Sequence, residues 1–449
     1  MKVLVLVDGE HYPPVTRWGI DAARTMGYEV MAALIVGGIE KLAAGETPHL
    51  GVPVRTAGSD AGAALTAALD ELASAGLEAV LDLSDEPVLG YRERMELAAV
   101  ALARGVPYLG ADFRLDPPIF GPPLPVPTLA VIGTGKRTGK TAIAGEVARV
   151  AARQARNPVV VAMGRGGPSV PQVAEAGSVT LEHLLDLVRR GQHAASDYLE
   201  DAVTTGVTTI GARRAGGGLA GAPFASSVRP AAELAIAMGA GLVLLEGSGS
   251  SVPPIPWDAG VLVVPATAPP EYLGGYLGPF RLLLSDLVVV TMARSPAGLE
   301  NLPALRSHVQ RLRDDARLVV TDFEPQPLAD VRGRDVFFAT TAPGAVAARQ
   351  VAHLGSVYGC RVVGWSARLA DRAGLAEDMD NAEGYDVLLT ELKAAAVDIA
   401  CDRALGRGAD VVFVDNRAVV VEGDVDLPAA IVETMDLAER RFGERHKDR

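Results

Sequence analysis

A loop rich in glycine and lysine constrains the fold of this chain more than any other feature. The loop runs from Gly133 to Thr141, after the apolar strand Thr128–Ile132 and before an Ala-rich helix expected from about Thr141 to Ala155. In such a strand–loop–helix context, successive backbone N–H groups and the amino end of the helix surround phosphate oxygens. The pattern therefore predicts a phosphate loop at the carboxyl end of a strand in a parallel α/β sheet.

The residues of this loop have separate expected roles. Lys140 is expected to reach the β and γ phosphates of a nucleotide, and the hydroxyl of Thr141 is expected to bind magnesium. Five residues, rather than the usual four, lie between the first glycine, Gly133, and the Gly139-Lys140-Thr141 ending. Gly135 is interpreted as a source of extra backbone freedom. The candidate nucleotide-binding residues are Gly133, Thr134, Gly135, Lys136, Arg137, Thr138, Gly139, Lys140 and Thr141.

Strands alternate with helices on both sides of the loop, which predicts a parallel α/β fold with more than one domain. The 449 residues are about three times the common domain length of roughly 150. Residues 117–127 carry six prolines, which neither a helix nor a central strand tolerates, and mark the best boundary. The predicted domains are a Rossmann-like parallel-sheet domain (1–125), a P-loop NTPase domain (126–295) and a further α/β carboxyl-terminal portion (296–449).

The carboxyl-terminal portion is expected to contain strands near Leu318–Thr321, Asp335–Ala339, Arg361–Gly364 and Asp410–Val414, with helices between them. The sequence leaves open whether these strands continue the sheet of the P-loop domain. Its two cysteines, Cys360 and Cys401, form no metal-ligand cluster and are expected to be small buried hydrophobes.

Charge and composition exclude several classes of protein. Lys plus Arg total 42 against 55 Asp plus Glu, so the net charge of −13 has the wrong sign for binding nucleic acid through a broad basic face. No uninterrupted apolar run approaches the roughly 18 residues that a membrane span needs. With only two cysteines and no secretory leader pattern, a cytoplasmic protein that binds neither nucleic acid nor membrane is expected.

The lengthened loop resembles that of dethiobiotin synthetase and related nucleotide-dependent ligases. The segment Glu246-Gly247-Ser248-Gly249, after the strand Leu242–Leu245, is similar to a Glu-Gly-Ala-Gly segment of those ligases. The resemblance implies that Glu246 helps to hold magnesium. A carboxylate at the carboxyl end of a parallel strand also points toward the crevice where ligands bind. A cap on a helix or loop is the structural alternative for Glu246.

Four segments together resemble the cyclic 2,3-diphosphoglycerate synthetase family: Val7–Val15, Gly133–Thr141, Met163–Pro168 and Glu246–Pro254. The resemblance spans most of the chain. It implies ATP-dependent closure of 2,3-bisphosphoglycerate into cyclic 2,3-diphosphoglycerate, with release of ADP and phosphate, and it implies ATP and Mg²⁺ as cofactors. A homodimer is expected from the resemblance to the related ligases.

So anionic an acceptor requires cations near the γ-phosphate of ATP. Arg165 stands in a glycine-rich turn, and Arg213 and Arg214 precede three glycines, so these arginines are expected to form a substrate clamp. Surface arginines at turns are the structural alternative. The candidate substrate-binding residues are Arg165, Gly166, Gly167, His193, Arg213, Arg214, Ser248 and Gly249, and the candidate catalytic residues are Lys140, Lys136, Glu246 and Arg165.

Three of these assignments carry open alternatives. Lys136 and Arg137 are expected to stabilise transition-state charge, with one of them, preferably Lys136, facing solvent. His193 either contacts phosphate when protonated or lies at a solvent-facing helix end. The opening Asp8-Gly9-Glu10-His11 either orients substrate, contacts another domain, or serves only as a turn.

Two other functions remain compatible with the sequence. One is a different ATP-dependent ligase of the dethiobiotin synthetase type, which would activate a carboxylate or carbamate. The other is a non-catalytic switch in which nucleotide binding changes a dimer interface. The segment Thr291–Arg294 lacks the Asn-Lys-x-Asp pattern that commonly reads guanine, which favours ATP.

Overall fold

The computed structural model describes residues 1–39, 47–423 and 425–447. In these ranges the chain forms two sheets, one of six strands and one of thirteen. The central parallel strands, such as β1, β7, β12 and β14, are rich in Val, Leu and Ile and are buried on both faces, as parallel strands covered by helices must be. The predicted α/β fold with a P-loop domain is confirmed.

The amino-terminal sheet has the strand order β3-β2-β1-β4-β5-β6, and every neighbouring pair is parallel except β5 with β6. Apolar side chains from its strands and helices form the core of this part of the molecule. Its elements are β1 (Lys2–Val7), α1 (Pro13–Thr25), β2 (Glu29–Ile35), β3 (Val54–Thr56), α2 (Ala61–Ala73), β4 (Ala79–Asp82), α3 (Tyr91–Ala103), β5 (Tyr108–Leu109) and β6 (Arg114–Leu115).

The proline-rich segment 117–127 carries no helix or strand and leads into the second sheet. The first half of that sheet surrounds the phosphate loop. Its elements are β7 (Thr128–Gly133), α4 (Lys140–Arg153), β8 (Pro158–Gly164), β9 (Gln172–Ala174), α5 (Leu181–Arg189), α6 (Asp197–Thr205), β10 (Thr209–Ala215), β11 (Ala225–Ser226), α7 (Val228–Ala237), β12 (Leu242–Glu246), β13 (Ala259–Pro265), α8 (Glu271–Gly274), α9 (Gly278–Leu283), β14 (Leu287–Thr291) and α10 (Pro296–Leu312).

The remaining strands extend the same sheet, in the order β11-β10-β8-β12-β7-β13-β14-β15-β19-β18-β16-β17 with β9 beside β10. A single π-helical turn, Ala396–Cys401, interrupts the regular helices. The elements of this half are β15 (Arg317–Pro327), β16 (Asp335–Ala339), α11 (Gly344–Tyr358), β17 (Arg361–Ser366), α12 (Arg372–Asp380), β18 (Val387–Thr390), α13 (Asp402–Gly406), β19 (Asp410–Glu422) and α14 (Leu427–Lys447).

The two halves of the long sheet are joined by β15 and β19, which pair antiparallel from Val320–Glu422 to Pro327–Val414. Both strands are longer than the sequence predicts. The last helix, α14, returns to the first half, where its apolar face shares a core with α4 and β7. The described helices include none with the length and apolar character needed to cross a membrane. Cys360 and Cys401 are buried and unpaired, as expected.

The order of the parallel strands fixes where functional groups meet. Strand β12 lies between β7 and β8, and β10 lies on the other side of β8. The carboxyl ends of these four strands therefore meet at one edge of the sheet. This edge brings together the phosphate loop, the turn after β8, the end of β10 and Glu246.

Candidate active site at the phosphate loop

The phosphate loop is anchored to the strands beside it. The amide of Thr134 donates to the carbonyl of Val263 (3.3 Å), and the hydroxyl of Thr291 donates to the carbonyl of Thr138 (2.7 Å). Left-handed backbone occurs at Arg137 (φ 58°) and Gly139 (φ 82°), and not at Gly135, where the sequence predicts extra backbone freedom. These anchors hold the loop in place before any phosphate binds.

Gly139 has two reasons to be glycine. Its φ of 82° is unfavourable for a residue with a side chain, and a Cβ there would lie 2.4 Å from Cζ of Phe323. Helix α4 begins at the next residue, Lys140, so the free N–H groups of its first turn face the loop. This arrangement matches the phosphate-binding geometry that the sequence predicts.

Glu246 ends strand β12 directly beside the start of α4. Its side chain is buried, and the hydroxyl of Thr141 donates to its Oε1 (2.9 Å). The other carboxylate oxygen, Oε2, is buried without a hydrogen-bond partner. Burial raises the pKa of Glu246, while the charge of Lys140 opposes that rise. The structure thus brings together the two residues predicted to serve a metal.

Asp201 is a buried carboxylate that sequence reasoning missed. It lies on α6, within hydrogen-bond reach of Glu246 when one of the two carboxyl groups is protonated, and no other group in the described part of the chain hydrogen-bonds to its oxygens. Burial, and then the neighbouring Glu246, raise the pKa of Asp201 well above its usual range. Two buried carboxyl groups in contact are stable only when a proton or a cation offsets their repulsion.

These oxygens have the chemistry that a hard cation such as Mg²⁺ prefers. The unpartnered Oε2 of Glu246 and the hydroxyl of Thr141 fit it, with further oxygens to come from a nucleotide and water. In the described part of the chain, no group of three or more His, Cys, Asp and Glu side chains is arranged as a metal site. The protein alone therefore supplies only part of a coordination shell, which is usual for Mg²⁺ bound with phosphates.

Arg214 is the most deeply buried cation of the predicted substrate clamp. Its residue is 8% exposed, and its guanidinium donates to the carbonyls of Gly216 and Ser248, the latter at 3.0 Å. Its Nε is buried without a partner. Burial, and then the charge of Arg165, lower the pKa of Arg214. With a second cation beside it and no carboxylate partner in the described part of the chain, this guanidinium is suited to bind an anion.

Arg213 and Arg214 are consecutive residues of β10, but their side chains contact different loops. The Nε of Arg213 donates to the carbonyl of Gly167 (2.6 Å), which braces the turn after β8. A Cβ on Gly167 would lie 2.2 Å from the carbonyl oxygen of Ala212, so only glycine allows this approach. Arg165, in the same turn, is exposed. The turn therefore presents Arg165 at the strand edge while Arg213 supports it.

His193 lies against this turn. Its ring Cδ2 is 3.4 Å from the position that a Cβ on Gly166 would take, and the residue is exposed. A small cavity of about 70 Å³ opens between the turn and the start of α6. The cavity is lined by Ala162, Gly164, Gly166, Gly167, His193, Ala195, Ser196, Asp197 and Tyr198.

Lys136 and Arg214 approach the turn after β12 from two elements. Ser248 and Ser251 close that turn with reciprocal backbone bonds of 3.2 and 3.0 Å, and Gly249 has a φ of 59°. Cγ of Lys136 and Nη2 of Arg214 lie 3.4 and 3.5 Å from the position of a Cβ on Gly249. Lys136 and Arg137 are both exposed. Exposure therefore does not show which of the two faces solvent and which stabilises transition-state charge.

Two other regions do not contribute to this edge. Asp8 accepts from the amides of Glu10 (3.2 Å) and Asp85 (3.1 Å), which is the turn geometry that the sequence left as one alternative. A cavity of about 280 Å³ lies at the opposite, amino edge of the sheet, beside Asp258 and Asp286.

The fold and the loop define a protein with a P-loop domain. Residues 2–116, 128–322 and 327–417 match the amino-terminal, P-loop and carboxyl-terminal domains of cyclic 2,3-diphosphoglycerate synthetase. The chain belongs to this family and is an enzyme of the synthetase class. The family resemblance seen in the sequence is confirmed.

Relatives named cyclic 2,3-diphosphoglycerate synthetase match almost end to end. The protein from Rubrobacter xylanophilus is 46% identical over 426 residues, covering 93% of this chain and 94% of the relative. That from Methanothermobacter thermautotrophicus is 40% identical over 99% of this chain and 98% of the relative. That from Methanothermus fervidus is 38% identical over 97% of each.

Proposed function

We propose that the protein uses ATP to close 2,3-bisphosphoglycerate into cyclic 2,3-diphosphoglycerate, releasing ADP and inorganic phosphate. The observation that carries this proposal is the burial of Arg214 beside Arg165 and Lys136, with no carboxylate partner among the residues that the structure describes. Lys136 belongs to the phosphate loop, and Arg214 lies next to it at Gly249. A polyanionic acceptor placed there would neutralise them and would lie next to the γ-phosphate of ATP.

The reaction has two phosphoryl steps. An oxygen of one substrate phosphate attacks the γ-phosphorus of ATP, and the bond to ADP breaks, which leaves a diphosphate on the substrate. An oxygen of the second substrate phosphate then attacks the inner phosphorus of that diphosphate and expels inorganic phosphate. The ring closes as a P–O–P anhydride, and the γ-phosphorus of ATP leaves in the inorganic phosphate.

The protein's task is to overcome repulsion between anions, because the attacking oxygens are already ionised. Lys140 and the amides of the phosphate loop hold the nucleotide phosphates, and Lys136 lies where charge builds up during transfer. Arg214 and Arg165 draw the acceptor toward them. Holding both phosphates in bonding range converts an improbable encounter into an intramolecular step.

Thr141 and Glu246 would hold Mg²⁺, with Asp201 behind Glu246. When bound, the metal would offset charge on the β and γ phosphates. The buried carboxyl pair supports this assignment, because a cation at that point would add to the charge of Lys140 in offsetting the repulsion between Glu246 and Asp201.

We also infer a cytoplasmic enzyme that acts as a homodimer on a small-molecule substrate. The two free, buried cysteines fit a reducing compartment, and the dimer rests on the resemblance to related ligases. Light scattering on the purified protein tests the dimer directly.

Phosphorus NMR of the full-length protein with Mg²⁺, ATP and 2,3-bisphosphoglycerate tests the reaction. New, mutually coupled diphosphate resonances are expected only when both substrates are present. With ATP labelled at the γ-phosphorus, the label is expected in inorganic phosphate and not in the cyclic product. ADP release that requires a different acceptor would indicate another ligase, and a nucleotide turnover indifferent to small acceptors would indicate a switch.

A further inference from the structure

Two loops form the acceptor side of the site, and both are held from behind by one arginine. The loop Gly216–Gly221 follows β10, and the turn Ser248–Ser251 follows β12. They are tied together where the amide of Val252 donates to the carbonyl of Gly221 (2.9 Å). Arg214 donates to a carbonyl in each of them, Gly216 and Ser248, so the relative position of the two loops determines the position of its guanidinium.

Arg281, on helix α9, binds both loops through main-chain carbonyls. Its Nε and Nη2 donate to the carbonyl of Ser250 (2.9 and 2.7 Å), and Nη2 also donates to that of Leu219 (3.2 Å). Its Nη1 donates to the carbonyl of Leu277 (2.9 Å), within its own helix. Every nitrogen of this guanidinium is therefore used to hold backbone.

Arg281 is buried, at 5% exposed, and among the described residues no carboxylate pairs with it. Burial lowers its pKa to about 10, so the group is still charged at neutral pH. An unpaired buried cation is costly to keep. Its planar fork serves two loops at once with five donors in a fixed geometry, whereas a lysine ammonium has three donors and no fixed fork.

The two arginines hold the same turn from different elements. Arg214 donates to the carbonyl of Ser248, and Arg281 donates to that of Ser250. With the turn fixed at both carbonyls, Gly249 is held beside Nη2 of Arg214 and Cγ of Lys136.

We propose that Arg281 is a positioning residue for the acceptor phosphates, acting through the turn Ser248–Ser251 and the loop Gly216–Gly221. This inference rests on the proposed function. It also gives the amino-terminal domain a role, because Phe280 of α9 and Leu277 just before α9 belong to the same apolar core as Leu97 and Leu102 of α3. The amino-terminal domain thereby supports the helix that carries Arg281.

Steady-state kinetics of Arg281→Met and Arg281→Lys test the role. In Arg281→Met the KM for 2,3-bisphosphoglycerate is expected to rise at least about tenfold, because small misplacements of binding groups have large kinetic effects, while the KM for ATP stays within about twofold. Arg281→Lys, which keeps the charge but serves fewer carbonyls, is expected to lie between wild type and Arg281→Met. If Arg281→Met does not fold, Arg281→Lys carries the same test.

Arg441→Met is the matched control. Arg441, on α14, also donates to a backbone carbonyl, that of Asp258 (3.0 Å), but at the amino edge of the sheet. The Arg441→Met variant is expected to lower the melting temperature without separating the two KM values. An unchanged acceptor KM in folded Arg281 variants, or equal rises in both KM values, would overturn the role of Arg281. Absence of cyclic product with wild type would instead overturn the proposed function.

Discussion

The long sheet has two edges at which carboxyl ends of strands meet, and they differ in whether their buried charged groups have hydrogen-bond partners. At the edge of β8, β10 and β12, Arg214 keeps a buried Nε without a partner and Glu246 keeps a buried Oε2 without one. At the edge of β16 and β18, the buried Glu391 is fully engaged. It accepts from the hydroxyls of Thr340 (2.9 Å) and Thr341 (2.7 Å) and from the side-chain amide of Asn416 (2.9 Å).

The same contrast holds for the lysines. Lys393, after β18, pairs with Glu200 on α6 (3.0 Å) and so joins the carboxyl-terminal half to the helix that carries Asp201. The phosphate-loop lysines, Lys136 and Lys140, make no such pair in the described part of the chain. The charged groups at the second edge, Glu391 and Lys393, are thus paired within the protein, although Oδ1 of Asn416 is buried there without a hydrogen-bond partner among the described residues. The unpaired charged groups at the first edge favour it as the ligand site.

The largest effect is expected for Lys140→Ala. Loss of the cation that reaches the transferred phosphate should lower turnover by at least about 1,000-fold, as for other phosphoryl-transfer cations. ADP release with both substrates measures it, and a melting curve confirms that the variant is folded. Turnover close to wild type would exclude the proposed contact with the γ-phosphate.

Arg214→Met separates acceptor binding from nucleotide binding. Removal of a buried, preorganised donor should lower kcat/KM for 2,3-bisphosphoglycerate by about 100-fold, with a much smaller change in the KM for ATP. Arg213→Met should have the weaker effect, because Arg213 braces the turn at Gly167. Equal losses for the two substrates would place Arg214 outside the acceptor site.

Glu391→Gln should affect stability and not chemistry. The substitution places amide N–H groups among donors that now point at a carboxylate, and we expect the free energy of unfolding to fall by about 2 kcal/mol. Urea denaturation measures the change. A specific loss of acceptor affinity, with stability retained, would contradict the contrast between the two edges.

The pH dependence of stability adds a second test of Glu391. Burial would raise its pKa, but Lys393, Asn416 and Thr341 outweigh burial and hold the pKa below 4.5. Stability from this group is therefore fully present above pH 4.5 and is lost as the pH falls through the lower, folded-state pKa. Glu391→Gln should make the urea midpoint of unfolding depend less on pH in that acidic range. An unchanged dependence on pH would show that other carboxyl groups dominate it.

The sequence predicted the phosphate loop and Glu246 because both depend on local order: a strand, a glycine-rich turn and a helix start. It did not predict Asp201, since acidic residues at Asp197, Glu200 and Asp201 are spaced like one solvent-facing side of a helix. That spacing was the available signal. Burial of Asp201 comes from the packing of α6 on β8 and β10, which is a contact between distant segments.

The strands predicted from the sequence at β15 and β19 are also shorter than those in the structure. Each continues through polar residues and, in β15, through two prolines, where an apolar pattern ends. The two strands extend because they pair with each other, and a pairing between residues about one hundred apart leaves no local signal. Arg281 was missed for the same reason: a lone arginine in an apolar run has no motif, and its role comes from two loops that reach it.

Glu246→Gln is expected to have the smallest kinetic effect and to compare the two buried glutamates directly. Loss of the carboxylate should raise the Mg²⁺ concentration for half-maximal turnover about tenfold, since the hydroxyl of Thr141 and the nucleotide oxygens remain. Glu391→Gln, measured beside it, should leave the Mg²⁺ titration unchanged, because its carboxylate is already bound by protein donors. If both variants raise the Mg²⁺ requirement equally, the unpaired Oε2 of Glu246 does not mark a metal site.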